Sequence, residues 1–322
     1  MNLAIFGKPQ SGKTTLFHLL TGMGEKVKHM AMVEVRDPRL ERVGEAEGSS
    51  KITYLHIGFL DPPAREMVSQ MRAAEGLIHV VRSETPGEEI RRVEEDFLVK
   101  DAETLEGTLE KAKKQYSKQK TRNLERKISG LEKALEVLRA GRPLRETFYQ
   151  EQEEFSGLGL LSLKPIIHVV NARFEELERL RGLEAEGKGR AVVVMDLLTE
   201  KELLESGEEE RRELMEEFGI VERKAEKFVE RIYGVLDLLV FFTANSREAR
   251  AWTLRRDSTA LEAAGKIHTD MARGFVRAEV APWEEFVQAG GWSGLRREGK
   301  IRLEGKDYRV KDGDVLNIKF NR

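Results

Sequence analysis

The sequence of 322 residues contains no cysteine. Disulfide frameworks, thiolate metal sites and cysteine nucleophiles are therefore excluded. The sequence also has no apolar run of about 18 residues, the length that a membrane-spanning helix needs. Met1 leads directly into a short apolar segment, without the basic and apolar regions of a signal peptide. We therefore expect a cytoplasmic protein that does not bind a membrane.

Neither sign of charge dominates the chain. There are 55 Lys and Arg residues against 57 Asp and Glu residues, which gives a formal net charge of -2. Without a global basic excess DNA is not an expected partner, although a local basic patch for RNA stays open. The six histidines are scattered and show no spacing typical of a metal site. The length indicates about two or three domains, and we expect a monomer.

The strongest motif is Gly7-Lys8-Pro9-Gln10-Ser11-Gly12-Lys13-Thr14, which fits the pattern G-x-x-x-x-G-K-[ST]. It follows the apolar run 3–6 and precedes a helix-like segment that begins near Thr15, the order that a P-loop requires. In such a loop the backbone N–H groups and the helix N-terminus surround an anion. Lys13 is expected to reach the β- and γ-phosphates, and the Thr14 hydroxyl to hold Mg²⁺. We therefore predict that residues 7–15 bind the phosphates of a nucleotide.

A second candidate is Asp61, which ends the predicted strand 52–60 and precedes Pro62 and Pro63. An acid at the end of such a strand suits the Walker-B role of holding Mg²⁺. An Asp that only starts a turn before proline is equally compatible with this position. Lys13 and Asp61 are the catalytic candidates, and Thr14 and Asp61 are the metal candidates.

The remaining pattern predicts three structural parts. Apart from His79 and His168, segments 77–81, 166–170 and 191–195 are apolar on both faces, as buried parallel strands require. Apolar residues spaced by three and four between 101 and 141 predict two helices joined near 118–123, an antiparallel hairpin. His79 and His168 lie in buried strands and are interpreted as core residues rather than ligands.

From residue 238 the pattern changes to short alternating strands with few helices. The strands are expected at 239–243, 249–254, 275–280, 301–303, 308–310 and 315–320, with helices near 260–265 and 283–289. The fold class is therefore α/β, with a mostly parallel sheet and a small C-terminal α+β domain. The predicted domains are 1–96 with 160–237 for the nucleotide, 97–159 for the hairpin, and 238–322.

Several segments resemble the YchF/Obg-like P-loop NTPases, a family of the translation-factor class. In the C-terminal part they are 241–243, 250–253, 263–265, 267–270, 274–280, 299–308 and 312–315; in the N-terminal part they are 37–40 and 78–82. The resemblance covers nearly the whole chain. It implies a GTPase-like (G) domain with an inserted helical hairpin, and a C-terminal TGS domain with a ubiquitin-like β-grasp fold. It also implies binding of GTP or ATP with Mg²⁺ and a ribosome or RNA partner.

The sequence departs from the family at three functional motifs. The family's D-x-A-G is Asp61-Pro62-Pro63-Ala64 here, without the glycine. The base-recognition motif N-x-x-E or N-x-x-D is Asn171-Ala172-Arg173-Phe174, which keeps the asparagine and loses the acid. Residues 26–36, where the family's first switch offers a threonine, contain no Thr or Ser. We predict that Asn171 still takes part in nucleotide binding, while the choice between ATP and GTP stays open.

Three functions remain compatible with this sequence. The first is slow NTP hydrolysis, with Lys13, Thr14 and Asp61 positioning the phosphates and Mg²⁺. The second is nucleotide binding without turnover, as in a pseudo-GTPase. In the third the nucleotide is incidental, and the hairpin and the C-terminal domain bind a ribosome, RNA or a protein.

Overall fold

The computed structural model describes residues 1–22, 29–148, 154–187 and 189–321. Two compact units are present, one formed by Met1–Val33 and Gly58–Val235 and the other by Glu34–Ile57 and Leu236–Arg322. Both contain a sheet with helices packed on it, so the α/β class expected from the sequence is confirmed. Across the described ranges, none of the helices combines the length and the apolar character needed to cross a membrane.

The P-loop motif lies at the carboxyl ends of the parallel strands of a seven-stranded sheet. Its strands are β1 (Asn2–Phe6), β2 (Met30–Val35), β4 (Leu55–Leu60), β5 (Gly76–Arg82), β6 (Ile166–Asn171), β7 (Ala185–Gly187) and β8 (Arg190–Met195). The order is β2-β4-β1-β5-β6-β8-β7, and β1, β4, β5, β6 and β8 are parallel where they pair. Parallel strands end at the same edge, so the segments after β1, β4, β6 and β8 meet there.

The first unit also contains nine of the described helices. They are α1 (Lys13–Thr21), α3 (Met67–Ala73), α4 (Pro86–Lys118), α5 (Arg122–Arg139), α6 (Arg145–Phe148), α7 (Leu177–Leu180), α8 (Leu197–Glu205), α9 (Glu208–Glu217) and α10 (Phe228–Val235).

Helices α4 and α5 form the hairpin that the sequence predicts. They pack through a buried cluster that includes Leu105, Leu131 and Leu135. Thr121 caps α5, where its hydroxyl accepts a hydrogen bond from Leu124 N at 3.3 Å. The first helix begins earlier than the periodicity suggested, at Pro86, and runs for 33 residues without interruption. Its first turns therefore pack beside the sheet, and only its later part belongs to the hairpin.

The second unit is built around a mixed six-stranded sheet. Its strands are β3 (Ile52–Thr53), β9 (Leu238–Ala244), β10 (Ala249–Arg255), β11 (Phe275–Pro282), β12 (Arg302–Glu304) and β13 (Asp314–Phe320), in the order β12-β11-β13-β9-β10-β3. Its helices are α2 (Pro38–Glu47), α11 (Ala260–Ile267), α12 (Thr269–Arg273), α13 (Trp283–Ala289) and α14 (Gly291–Glu298). The strand expected at 308–310 is wrong: Arg309 makes only an isolated bridge with Thr259. The TGS, β-grasp assignment stays a prediction.

Residues 34–57 belong to the second unit, although the sequence analysis grouped them with the P-loop sheet. Asp37 caps α2 and binds the guanidinium of Arg39. Arg39 Nη1 also donates to Asp312 Oδ2 at 2.6 Å, and Asp312 Oδ1 accepts from Val240 N at 2.8 Å. Leu40 and Val43 of α2 are buried in the core of this unit. These contacts join residues far apart in the chain, which explains why local patterning did not reveal them.

Candidate functional site

The loop after β1 has the backbone conformation that a phosphate-binding turn requires. Gly7, Gln10 and Gly12 have positive φ angles of 153°, 62° and 101°. A Cβ atom on Gly7 would lie 2.2 Å from the carbonyl oxygen of Val80 in β5. Glycine is therefore required at position 7, because the loop passes too close to the neighbouring strand for a side chain.

Helix α1 presents its N-terminus to this loop. Its N-cap is Gly12, which offers no side-chain hydrogen bond, and its first turn carries no acid. The first N–H groups of a helix have no intrahelical partner, so those of Lys13, Thr14 and Thr15 remain available to an anion. Lys13 Nζ donates to the carbonyl oxygen of Lys8 at 2.8 Å, which holds the ammonium group over the loop. The segment 7–15 thus fits a phosphate group.

Thr14 and Asp61 are brought together across the sheet edge. The Thr14 hydroxyl donates to Asp61 Oδ2 at 3.4 Å. Asp61 is fixed by His29, whose carbonyl accepts from Asp61 N at 2.9 Å and whose Nδ1 lies 3.0 Å from Asp61 O. One hydroxyl and one carboxylate fit Mg²⁺, which usually takes its remaining ligands from water and phosphates. Within the described ranges, no group of three or more acids or histidines forms a metal site.

The expected first switch at 26–36 is described only from His29 onward; residues 26–28 lie outside the described ranges. The described part contains His29 and strand β2. Neither supplies a hydroxyl to the Thr14–Asp61 pair, as the composition of the segment indicated.

Asn171, at the end of β6, connects the phosphate loop to the start of α8. Its Nδ2 donates to Ser11 O at 3.0 Å, and its Oδ1 accepts from Leu197 N at 3.4 Å. A Cβ on Gly12 would lie 2.6 Å from this amide nitrogen. Asn171 therefore positions the loop through hydrogen bonds to the protein itself.

Two acids in the region where a base would be read, Asp196 and Glu176, already accept hydrogen bonds from the protein. Asp196 Oδ1 accepts from Leu198 N and Thr199 N as the cap of α8. Glu176 accepts hydrogen bonds from Ser83 and from Arg173 N, and the bond from Ser83 lowers the pKa of Glu176. Glu175, the acid one position late in the motif, is exposed.

A cleft of about 390 Å³ opens beside this region. Phe174, Met195, Asp196, Thr199 and Ile220 are among the residues that line it. The Phe174 ring, which stands where the family's acid would be, packs against Phe218 with ring centroids 4.9 Å apart. The cleft therefore offers apolar contacts, and its polar lining residues Asp196, Glu200 and Lys224 already hydrogen-bond to the protein.

A buried polar chain lies beneath the phosphate loop, and no sequence motif indicated it. Lys8 Nζ pairs with Glu89 Oε2 of α4 at 2.8 Å, and Glu89 Oε1 lies 3.8 Å from His79 Nε2. His79 and His168 occupy paired positions on β5 and β6, with their Nδ1 atoms 3.1 Å apart. Both histidines are buried, as the apolar strands indicated. Their contact with each other and with α4 needed the strand register, which no local motif encodes.

Comparison with known proteins gives a consistent family. A family model described as YchF-GTPase_C, protein of unknown function (DUF933), matches residues 238–321. The Ribosome-binding ATPase YchF of Bacillus subtilis (strain 168) is 30% identical over 364 residues, covering 100% of this chain and 99% of the relative. The Ribosome-binding ATPase YchF of Escherichia coli O157:H7 is 31% identical over 358 residues, with 98% of each chain covered.

A solved structure shows the same fold. The structure of the Schizosaccharomyces pombe YchF GTPase matches with a TM-score of 0.77 at 24% sequence identity. The match covers 99% of this chain and 97% of that chain. The similarity therefore extends through both units.

Proposed function

Because the chain belongs to the YchF family, we propose that it is a Mg²⁺-dependent purine nucleotide-binding protein that hydrolyses its nucleotide slowly and associates with the ribosome. The observation that carries the proposal is the phosphate loop. Its three positive φ angles and the uncapped N-terminus of α1 form an anion site, with Lys13 above it. ATP and GTP share the phosphates that this site fits.

The residues of the site would have different roles in binding the nucleotide and Mg²⁺. Backbone N–H groups at 12–15 would bind the β- and γ-phosphate oxygens, and Lys13 would neutralise their charge. Thr14 and Asp61 would hold Mg²⁺, which supplies charge neutralisation between the β- and γ-phosphates when bound. Asn171 would keep the loop beside the start of α8 through its bonds to Ser11 O and Leu197 N.

We propose slow turnover because the chain lacks parts that accelerate phosphoryl transfer. Pro62-Pro63-Ala64 follows Asp61, so the segment that would carry a mobile glycine is stiffened by two prolines. Positioning of the phosphates and neutralisation of their charge then provide most of the rate of nucleotide hydrolysis.

The ribosome enters the proposal from the printed names of the B. subtilis and E. coli relatives, both described as ribosome-binding ATPases. Both cover nearly the full length of this chain. A partner of the same kind is the simplest proposal, and RNA outside the ribosome is a different outcome that the experiment distinguishes.

Isothermal titration calorimetry with ATP and GTP, with and without Mg²⁺, tests nucleotide binding. Lys13→Ala should weaken binding about 10- to 100-fold, since a hydrogen bond to a charged group contributes about 1.5–3 kcal/mol. Lys100→Ala, an exposed lysine of α4, is the matched control and should bind like the wild type. Equal binding by both variants would contradict the proposal.

Two further measurements test turnover and the partner. Single-turnover assays with radiolabelled ATP and GTP should show slow phosphate release that is lost in Lys13→Ala. Co-sedimentation with ribosomes should recover the protein in the pellet, and an equal amount of deproteinised ribosomal RNA tests direct RNA binding. Tight nucleotide binding without any phosphate release would support a pseudo-GTPase instead.

A further inference from the structure

The buried polar chain beneath the phosphate loop has three contacts between nitrogen and oxygen or nitrogen atoms but only two hydrogens to place in them. Three links join four groups in sequence: Glu89 to His79, His79 to His168, and His168 to Glu94. Each link needs one hydrogen between two acceptors. Two neutral imidazoles carry only two N–H groups, so one of the three links has no hydrogen.

The distances indicate which of the three links holds no hydrogen. His168 Nε2 lies 3.3 Å from Glu94 Oε1, and the two Nδ1 atoms are 3.1 Å apart, whereas His79 Nε2 and Glu89 Oε1 are 3.8 Å apart. The two imidazole protons therefore belong in the shorter links. This tautomer leaves His79 Nε2 bare and facing a carboxylate oxygen that has no hydrogen-bond partner in the described part of the chain.

The protonation states of the neighbours agree with this assignment. Burial, followed by the neighbouring His168, lowers the pKa of His79 to about 3, so the ring is neutral near pH 7. Burial also lowers the pKa of His168. Burial opposes the ionisation of Glu94, but the hydrogen bond from His168 and the charge of Arg145 outweigh it and lower the pKa of Glu94 to about 2.

The contact between His79 Nε2 and Glu89 Oε1, which holds no hydrogen, is called the gap below. Lys8 is the cation that pairs with Glu89 beside it. Among the described lysines and arginines, only Lys8 lies within ion-pair distance of Glu89. The Glu89 side chain is 5% exposed and that of Lys8 is 47% exposed, so the carboxylate depends on this cation while the cation itself reaches solvent. The other charged or titratable groups facing the gap are His168 of β6 and Glu94 of α4, with Arg145 and Arg190 behind Glu94.

We propose that an anion bound at the phosphate loop is accompanied by uptake of a proton between Glu89 Oε1 and His79 Nε2. Lys8 belongs to the loop that would surround the phosphates. A phosphate there attracts the Lys8 ammonium and lowers the electrostatic potential at Glu89. The buried carboxylate then loses its compensating charge, and a proton from solvent that closes the gap restores it. The inference rests on the proposed nucleotide binding and adds a means of regulating it by pH.

The sign of the effect follows from linkage. The nucleotide-bound protein holds more protons than the free protein, so the affinity rises as the pH falls. For uptake of one proton the affinity changes by up to about tenfold per pH unit. The proton number is measured by calorimetry with Mg²⁺ and ADP at pH 6.5, 7.0, 7.5 and 8.0, in buffers of different ionisation enthalpy.

Glu89→Gln is the informative variant. Its amide N–H₂ can donate to His79 Nε2 permanently, which reproduces the protonated state. We expect the wild type to take up about half to one proton more than this variant at one or more of the pH values. At pH 8.0 the variant should bind ADP several-fold more tightly than the wild type. Damage to the packing alone would weaken binding instead.

Glu88→Gln is the matched control, because Glu88 is exposed in the same helical turn. It should take up protons like the wild type. Lys8→Met provides a second route should Glu89→Gln fold poorly: without the cation the gap is filled before the nucleotide arrives, and the proton uptake is lost.

Equal proton numbers and equal pH slopes for the wild type and Glu89→Gln, with both binding ADP, would overturn this inference and leave the proposed function intact. If neither ATP nor ADP binds the wild type, both proposals are overturned together.

Discussion

The two ends of the candidate site recognise their ligand by different means. At the phosphate end, Gly7, Gly12 and the N-terminus of α1 leave backbone N–H groups without partners. At the base end, Asn171 and Asp196 spend their hydrogen bonds on the protein, on Ser11 O, Leu197 N and the first turn of α8. The phosphate end therefore has N–H groups available to a ligand, whereas Asn171 and Asp196 at the base end already hydrogen-bond to the protein.

This difference indicates how the specificity of the site is distributed. Discrimination by orders of magnitude requires buried polar groups that a wrong ligand would leave unpaired. The phosphate end offers an anion the N–H groups of the first turn of α1, which have no intrahelical partner. The base end offers the Phe174 ring and a cleft whose polar residues Asp196 and Lys224 already hydrogen-bond to the protein. Either purine base would fill this cleft about equally well.

The largest expected effect concerns the backbone at the phosphate end. Gly12→Ala would place a Cβ 2.6 Å from Asn171 Nδ2 and 2.9 Å from Leu197 Cδ1, at a φ of 101°. We expect nucleotide binding to disappear and the free energy of unfolding to fall by about 2–3 kcal/mol. Binding is measured by calorimetry and stability by urea unfolding.

The control for this substitution is Gly22→Ala. Gly22 also has a positive φ, of 64°, but no atom lies within 4 Å of its Cβ position. Its cost should be limited to backbone strain of about 1 kcal/mol, with binding retained. A Gly12→Ala protein that behaves like Gly22→Ala would show that the close approach of the loop to Asn171 is unimportant.

The second prediction concerns acid stability, which should depend on the polar chain under the phosphate end. The pKa of His79 is about 3 in the folded protein, against the ordinary value of 6.5 that applies to the unfolded chain. Between these values the unfolded chain binds a proton that the folded protein excludes. Stability should therefore fall as the pH drops below 6.5, with a slope of up to about 1.4 kcal/mol per pH unit.

Urea unfolding of His79→Gln against pH checks this prediction. The slope between pH 6.5 and 4.5 should become smaller than in the wild type. His56→Gln, which replaces an exposed histidine of β4, should leave the slope unchanged. If both variants keep the wild-type slope, His79 does not exclude the proton.

The smallest effect of the three concerns the metal. Asp61→Asn removes a charge 3.4 Å from the Thr14 hydroxyl. The increase in nucleotide affinity produced by Mg²⁺ should shrink about tenfold, while binding without Mg²⁺ should change little, because losing one charged ligand costs about 1.5 kcal/mol. Calorimetry over a Mg²⁺ series measures both terms. A variant that loses affinity equally with and without Mg²⁺ would place Asp61 outside the metal site.

The phosphate end could be predicted from the sequence because its signal is local. Eight consecutive residues from Gly7 to Thr14, between a strand and a helix, contain the loop geometry. The hairpin was also predictable from its periodicity, although the first helix starts at Pro86. The turns of α4 beside the sheet bury the charged residue Glu89, which interrupts the expected apolar pattern.

What could not be predicted depends on contacts between distant residues. The ion pair of Arg39 with Asp312 places α2 in the second unit, and the contact of Lys8 with Glu89 joins the loop to α4. The mistaken strand at 308–310 has a local origin instead. Its pattern alternates, but the Tyr308 hydroxyl and Lys311 N donate hydrogen bonds to Asp314, the first residue of β13, and only Arg309 forms a bridge to another segment.

Strong recognition of the phosphates and weak recognition of the base are tested together by the dissociation constants of ATP and GTP for the wild type, measured side by side with Mg²⁺. We expect the two values to lie within about tenfold of one another, since Asp196, Thr199 and Lys224 of the cleft already hydrogen-bond to the protein. A preference for one nucleotide on the order of hundredfold or more would contradict this expectation and would place a base-reading group in the cleft beside Phe174.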